Sequence, residues 1–191
     1  MDSRVRAEPL FYLALAAACL LFPIKWLAAW VVAVCVHEIC HILMLKILGC
    51  TVRAVSIGPT GAVIKTAPMP AYKELLCTVA GPVGSFSLLL LSRWMPLVAI
   101  CGFVQGGYNL IPLHPMDGGR AVRCVIGMFF NEALTQRIIS VIGWVVMVCF
   151  VVLGTYCLLF LSLGPVPLLF AVILAIRSGK IPCRTVREKV Q

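Results

Sequence analysis

Charge is what this sequence has least of. Aspartate and glutamate together number seven in 191 residues, and all charged residues make up 12%, about half the share of a soluble globular domain. What replaces them is apolar: 62% of the residues are hydrophobic, and the mean hydropathy is +1.05. This composition excludes a water-solvated fold and indicates an all-α polytopic membrane protein. The sequence also lacks internal repeats, low-complexity tracts and an appended soluble domain of any size, so residues 1–191 read as a single membrane-embedded domain. The first apolar run, 10–22, has no clear small-residue cleavage site and leads almost directly into the next. It therefore reads as a span rather than a removed signal. Cysteine is not scarce, at ten residues, but Cys19, Cys35, Cys40, Cys77, Cys101, Cys149 and Cys157 are scattered through apolar segments. They read as small packing residues, unlike a secreted disulfide framework.

A helix crossing a bilayer needs about 20 apolar residues. About six transmembrane segments are expected, over roughly 9–24, 26–48, 73–92, 95–114, 137–161 and 164–178. Two connections carry structure of their own. Residues 51–67 place β-branched residues around Gly58-Pro59-Thr60-Gly61, which predicts a short membrane-associated β-hairpin. Open strand edges are not tolerated against lipid, so it belongs at the interface or against protein. Residues 118–136 mix basic and bulky apolar side chains, as an interfacial helix does. With both termini in the cytoplasm, Lys25 and Arg93 alone of the sixteen basic residues fall outside. That is a strong positive-inside bias. The net charge of +9 is thus a matter of topology and contact with the lipid bilayer, and no nucleic-acid partner is expected.

Of the few acidic residues, Glu38 and Asp117 are the two that do not lie at termini, loops or span ends. Ionisable groups within spans are expensive and mark function by default. Glu38 sits in Val34–Leu43, VCVHEICHIL, between His37 and His41. Histidines four apart lie one turn apart on one helix face and can converge on one tetrahedral metal. Glu38, about 100° further round a helix of 3.6 residues per turn, can reach a water beside the metal instead of binding the metal. A catalytic zinc needs a third protein ligand and an open position. The candidates are Asp117, His114 and a cysteine (Cys35 or Cys40). Asp117 is favoured, because Pro112 and Pro115 interrupt its segment and Gly118-Gly119 permit a tight turn back towards the second span.

HEICH within a span, together with the N-x-x-P-x-x-P-x-D-G pattern from Asn109 to Gly118, resembles the site-2 family of intramembrane zinc metalloproteases. SIGPTGAVIK at 56–65 is similar to that family's hairpin, and AGPVGSF at 80–86 to its Gly-Pro motif. Ser85 stands where the family often has asparagine. The resemblance covers about 26–120, and the six-span layout is closest to the branch of sporulation sigma-factor-processing proteases. It implies Zn2+ held by His37, His41 and Asp117, with Glu38 as general base and Asn109 on the substrate backbone or the developing oxyanion. The Gly58–Gly61 hairpin would offer a strand edge to an extended substrate. The implied activity is cleavage of transmembrane or membrane-associated proteins, such as membrane-bound transcription regulators or signal-peptide remnants. The implied location is a bacterial cytoplasmic membrane. The alternatives are a metal transporter and a non-catalytic metal-binding scaffold. Transport sits poorly with the other spans, which offer neither histidine nor carboxylate along a path, and an intact Glu38 argues against the scaffold.

Overall fold

The computed structural model describes residues 5–7, 16, 19–20, 22–58, 61–113, 116–160 and 172, and it is mostly helical. In chain order the elements are strand β1 (Val5–Ala7), helix α1 (Ile24–Ile47), strands β2 (Val52–Gly58) and β3 (Gly61–Thr66), helix α2 (Ala71–Ser87) and a 3-10 turn (Leu88–Leu91). Helices α3 (Pro96–Asn109), α4 (Asp117–Phe129) and α5 (Glu132–Leu159) follow. Three stretches are long and apolar enough to cross a membrane: Ile24–Ile47, Ala71–Leu91 and Glu132–Leu159. Their outer faces are apolar and exposed, as at Trp144, Val148 and Val152 of α5, which marks an integral membrane protein. The expected span over 9–24 lies mostly, and that over 164–178 almost wholly, outside the described residues.

Small residues let the helices approach. Ala29 and Ala33 on α1 pack with Leu88, Val98 and Cys101 in one buried cluster, because residues four apart share a helix face. At the far end of α1, the Leu48 carbonyl accepts from Lys73 Nζ at 3.0 Å. A cation is favourable at a helix C-terminus, and this one also ties α1 to the start of α2. None of the cysteines among the described residues is in a disulfide, and Cys77, Cys101 and Cys124 are buried, in keeping with a packing role.

Three expectations need correction. The fourth segment, expected over 95–114, is helical only to Asn109. Fourteen residues rise about 21 Å, short of a hydrocarbon core of about 30 Å. The chain then turns through Leu110–Leu113, with Leu113 N–H donating to the Ile111 carbonyl at 2.7 Å, since Pro112 has no N–H with which to extend a helix. The connection 118–136 is not one interfacial helix either. It breaks at Phe130 and Asn131, and the following span begins at Glu132 rather than 137. Asn131 Oδ1 accepts from Leu134 N–H at 2.9 Å, a side-chain cap that starts the new helix. Finally, β1 was not anticipated. It pairs parallel with β2, Arg6 opposite Ser56, while β2 pairs antiparallel with β3, Gly58 opposite Gly61.

Candidate metal centre

The buried stripe of α1 runs Ala29, Ala33, His37, at 5%, 0% and 2% exposure, and one turn later reaches His41. Continuing an apolar stripe with imidazoles is what points both rings inward. The facing helix α2 comes very close. A Cβ at Gly81 would lie 2.5 Å from His41 Cε1 and 2.8 Å from His37 Nε2, so glycine alone leaves room for the rings.

Asp117 arrives from the other direction. Leu113 and Met116, 2% and 5% exposed, anchor the proline-broken segment against Val146, Met147 and Phe150 of α5. The chain then enters α4 with Asp117 as its first helical residue. The turn is tight: a Cβ at Gly118 would overlap the carbonyls of Leu110 and Ile111.

These elements bring three donor atoms to one point. His37 Nε2 and His41 Nε2 are 3.1 Å apart, and Asp117 Oδ2 lies 3.0 Å from the first and 3.2 Å from the second. Ligand atoms about 2.0–2.2 Å from a tetrahedral zinc are roughly 3.3–3.5 Å apart, so a slight opening of this triangle accepts the ion. Two imidazoles and a carboxylate also leave a fourth position free, the pattern of a catalytic rather than a structural site. Metal binding takes a carboxylate in its ionised form and an imidazole in its neutral form, each offering a lone pair to the ion.

Each ring is held from behind. Ser85 Oγ lies 2.8 Å from His37 Nδ1, and the Cys77 carbonyl lies 2.7 Å from His41 Nδ1. Neither contact was anticipated. One signal was available: Ser85 follows Gly81 by four residues, hence on the same face of α2, one turn beyond the histidines.

The other expected site residues are placed as follows. Glu38 is half-buried on α1, next in sequence to His37. Asn109 ends α3, its Nδ2 donating to the Gln105 carbonyl at 3.2 Å, and it is not among the donor atoms. Gly58 and Gly61 face each other at the ends of β2 and β3. His114 lies outside the described residues. Neither Cys35 nor Cys40 enters the donor cluster, which consists of His37, His41 and Asp117.

Fold and site together define a helical membrane protein with a His–His–Asp cluster that could hold a metal ion. No family model matches the chain. It is 29% identical over 126 residues to a zinc metalloprotease of Methanocaldococcus jannaschii, across 59% of this chain and 37% of that one. The chain thus spans little more than a third of that relative's length. A solved structure, a site-2 protease of the same organism, superposes with a TM-score of 0.68 at 22% identity, covering 98% of this chain and 94% of that one. The chain is therefore similar in sequence to a zinc metalloprotease and shares the fold of a site-2 protease.

Proposed function

We propose that this protein is an intramembrane zinc endopeptidase of the site-2 type, cleaving transmembrane or membrane-associated proteins. The observation that carries the reading is the triangle of His37 Nε2, His41 Nε2 and Asp117 Oδ2, buried among helices apolar enough to span a bilayer. These three residues would hold the ion. Zinc, when bound, supplies a Lewis acid for the peptide carbonyl and lowers the pKa of water towards about 7. Glu38, next in sequence to His37 on α1, would take the proton from the attacking water and deliver it to the leaving amine. Asn109, eight residues before Asp117 and at the end of α3, is assigned to the substrate backbone or the oxyanion; doing so requires its amide to release the Gln105 carbonyl.

A peptide bond in a transmembrane helix is hidden by its own hydrogen bonds, so a substrate must arrive locally extended. The antiparallel strands ending at Gly58 and Gly61 would add it as a further strand, with backbone hydrogen bonds giving side-chain-independent binding. The positive-inside count favours six spans with both termini in the cytoplasm. With the histidines nearer the Lys46 end of α1, the site opens to that side. The substrate class is then a membrane-bound regulator or signal-peptide remnant in a bacterial cytoplasmic membrane, as in the sporulation-protease branch. A transporter would spread its ligands along a path. Among the described residues one group of three donors, His37, His41 and Asp117, gathers at a single point instead.

The test is the full chain beside Glu38→Gln, each assayed for bound metal and for cleavage of membrane substrates. Zinc in both and cleavage by the unmodified chain alone is expected; equal cleavage by both removes Glu38 from its role.

A further inference from the structure

We infer that Ser85 is a positioning residue of the metal centre, its hydroxyl fixing the tautomer and ring plane of His37. The inference rests on the metal-site reading above. A neutral imidazole carries one N–H and one lone pair, and a ligand must turn the lone pair to the metal. In His37 the nitrogen within the donor triangle is Nε2, 3.0 Å from Asp117 Oδ2, so the hydrogen belongs on Nδ1. The atom facing Nδ1 is Ser85 Oγ, 2.8 Å away, on a residue with no solvent exposure. The hydroxyl therefore accepts from Nδ1–H. With the opposite tautomer Nε2 would carry the hydrogen and could not bind metal.

Hydroxyls on apolar helices ordinarily bond back to their own helix, and this chain shows the habit elsewhere. Thr78 Oγ1 donates to the Glu74 carbonyl, Ser87 Oγ to Gly84 and Thr155 Oγ1 to Val151. Ser85 reaches instead across 48 residues of sequence to another helix. The two rings stand nearly perpendicular, 82° apart with centroids 4.7 Å apart. Their nitrogens converge only while each ring keeps its plane. His41 is held by a main-chain carbonyl; His37 is held by a side chain, and that hold alone can be removed by substitution.

The experiment is zinc affinity of the full chain in detergent, measured by chelator competition, for the unmodified protein, Ser85→Ala and Thr78→Ala. Loss of a hydrogen-bond partner behind a ligating histidine typically weakens binding by about 10–100-fold. That fall is expected for Ser85→Ala, while Thr78→Ala, which removes an equally buried hydroxyl bonded only to its own helix, should hold zinc as the unmodified chain does. Equal affinity in Ser85→Ala and the unmodified chain overturns the role of Ser85 and leaves the metal centre standing. Absence of zinc from the unmodified chain overturns both. A second readout does not depend on Ser85→Ala folding. The chain has three histidines, so nitrogen-15 spectra of histidine-labelled zinc-loaded protein resolve His37. A proton on its Nδ1, slow to exchange with water, is expected, and a rapidly exchanging one overturns the inference.

Discussion

His41 donates its Nδ1 hydrogen to the backbone carbonyl of Cys77 over 2.7 Å. A carbonyl can only accept, so in the neutral ring this contact leaves the lone pair on Nε2, the nitrogen that faces Asp117. The tautomer is set by the main chain of α2, and the main chain comes that close because α2 presents Gly81 to the rings.

Gly81→Ala tests that closeness. Alanine favours a helix over glycine by about 1 kcal/mol, so helix propensity alone argues for the substitution. The added Cβ would lie 2.8 Å from His37 Nε2, too near for the rings to remain. We expect bound zinc to fall at least as far as on losing a ligand-orienting partner, roughly 10–100-fold, with helical content by circular dichroism retained. Full zinc occupancy in Gly81→Ala would mean that α2 yields easily and does not define the site.

Leu113→Ala reaches the site from behind. Leu113 is 2% exposed and, with Met116, seats the proline-broken segment on Val146, Met147 and Phe150. Removing such a side chain from a packed interior costs about 2–5 kcal/mol. The strain falls four residues before Asp117. Both a lowered thermal midpoint in detergent and weaker zinc binding are expected. A lowered midpoint with unchanged zinc affinity would show that Asp117 is held by α4 itself.

The ion pair between Arg120 and Glu74, 3.5 Å apart and almost half exposed on both sides, also joins α4 to α2, yet little is expected of it. Exposed pairs contribute about 0–1 kcal/mol. Glu74→Gln should therefore leave zinc affinity and thermal midpoint close to those of the unmodified protein. A loss comparable to that of Leu113→Ala would make the pair a clamp on the metal centre.

The parts of this site visible in the sequence are those that local periodicity dictates. His37 and His41 stand four apart in an apolar run, and the breaks at Pro112 and Pro115 free Asp117 to turn back. The parts that were hidden depend on another helix arriving: Ser85 and the Cys77 carbonyl meet the histidines across 48 and 36 residues. A period within one helix says nothing about such a contact. The start of α5 was readable but outweighed. Asn131 followed by Glu132 is a helix-start signal, whereas hydropathy places the span after Arg137. The three-residue β1 has no alternation to read, and its parallel pairing with β2 is wholly non-local.

The strands lead to the last prediction. β1 covers one side of β2 and β3 the other, so a substrate joining the longer outer strand must add beside β3. Val63 pairs with Ser56 and Ile64 with Val55. In an antiparallel ladder, successive residues turn their N–H groups alternately towards the partner and away from it. Proline removes that donor. Of Val63→Pro and Ile64→Pro, one therefore loses a ladder bond to β2 and the other loses an outward donor. The inward change is expected to lower the thermal midpoint. The outward change is expected to keep zinc and the midpoint while slowing cleavage of a single-span substrate that the unmodified chain processes. If cleavage by the outward variant matches the unmodified chain on every such substrate, the β3 edge is not where the extended peptide is held.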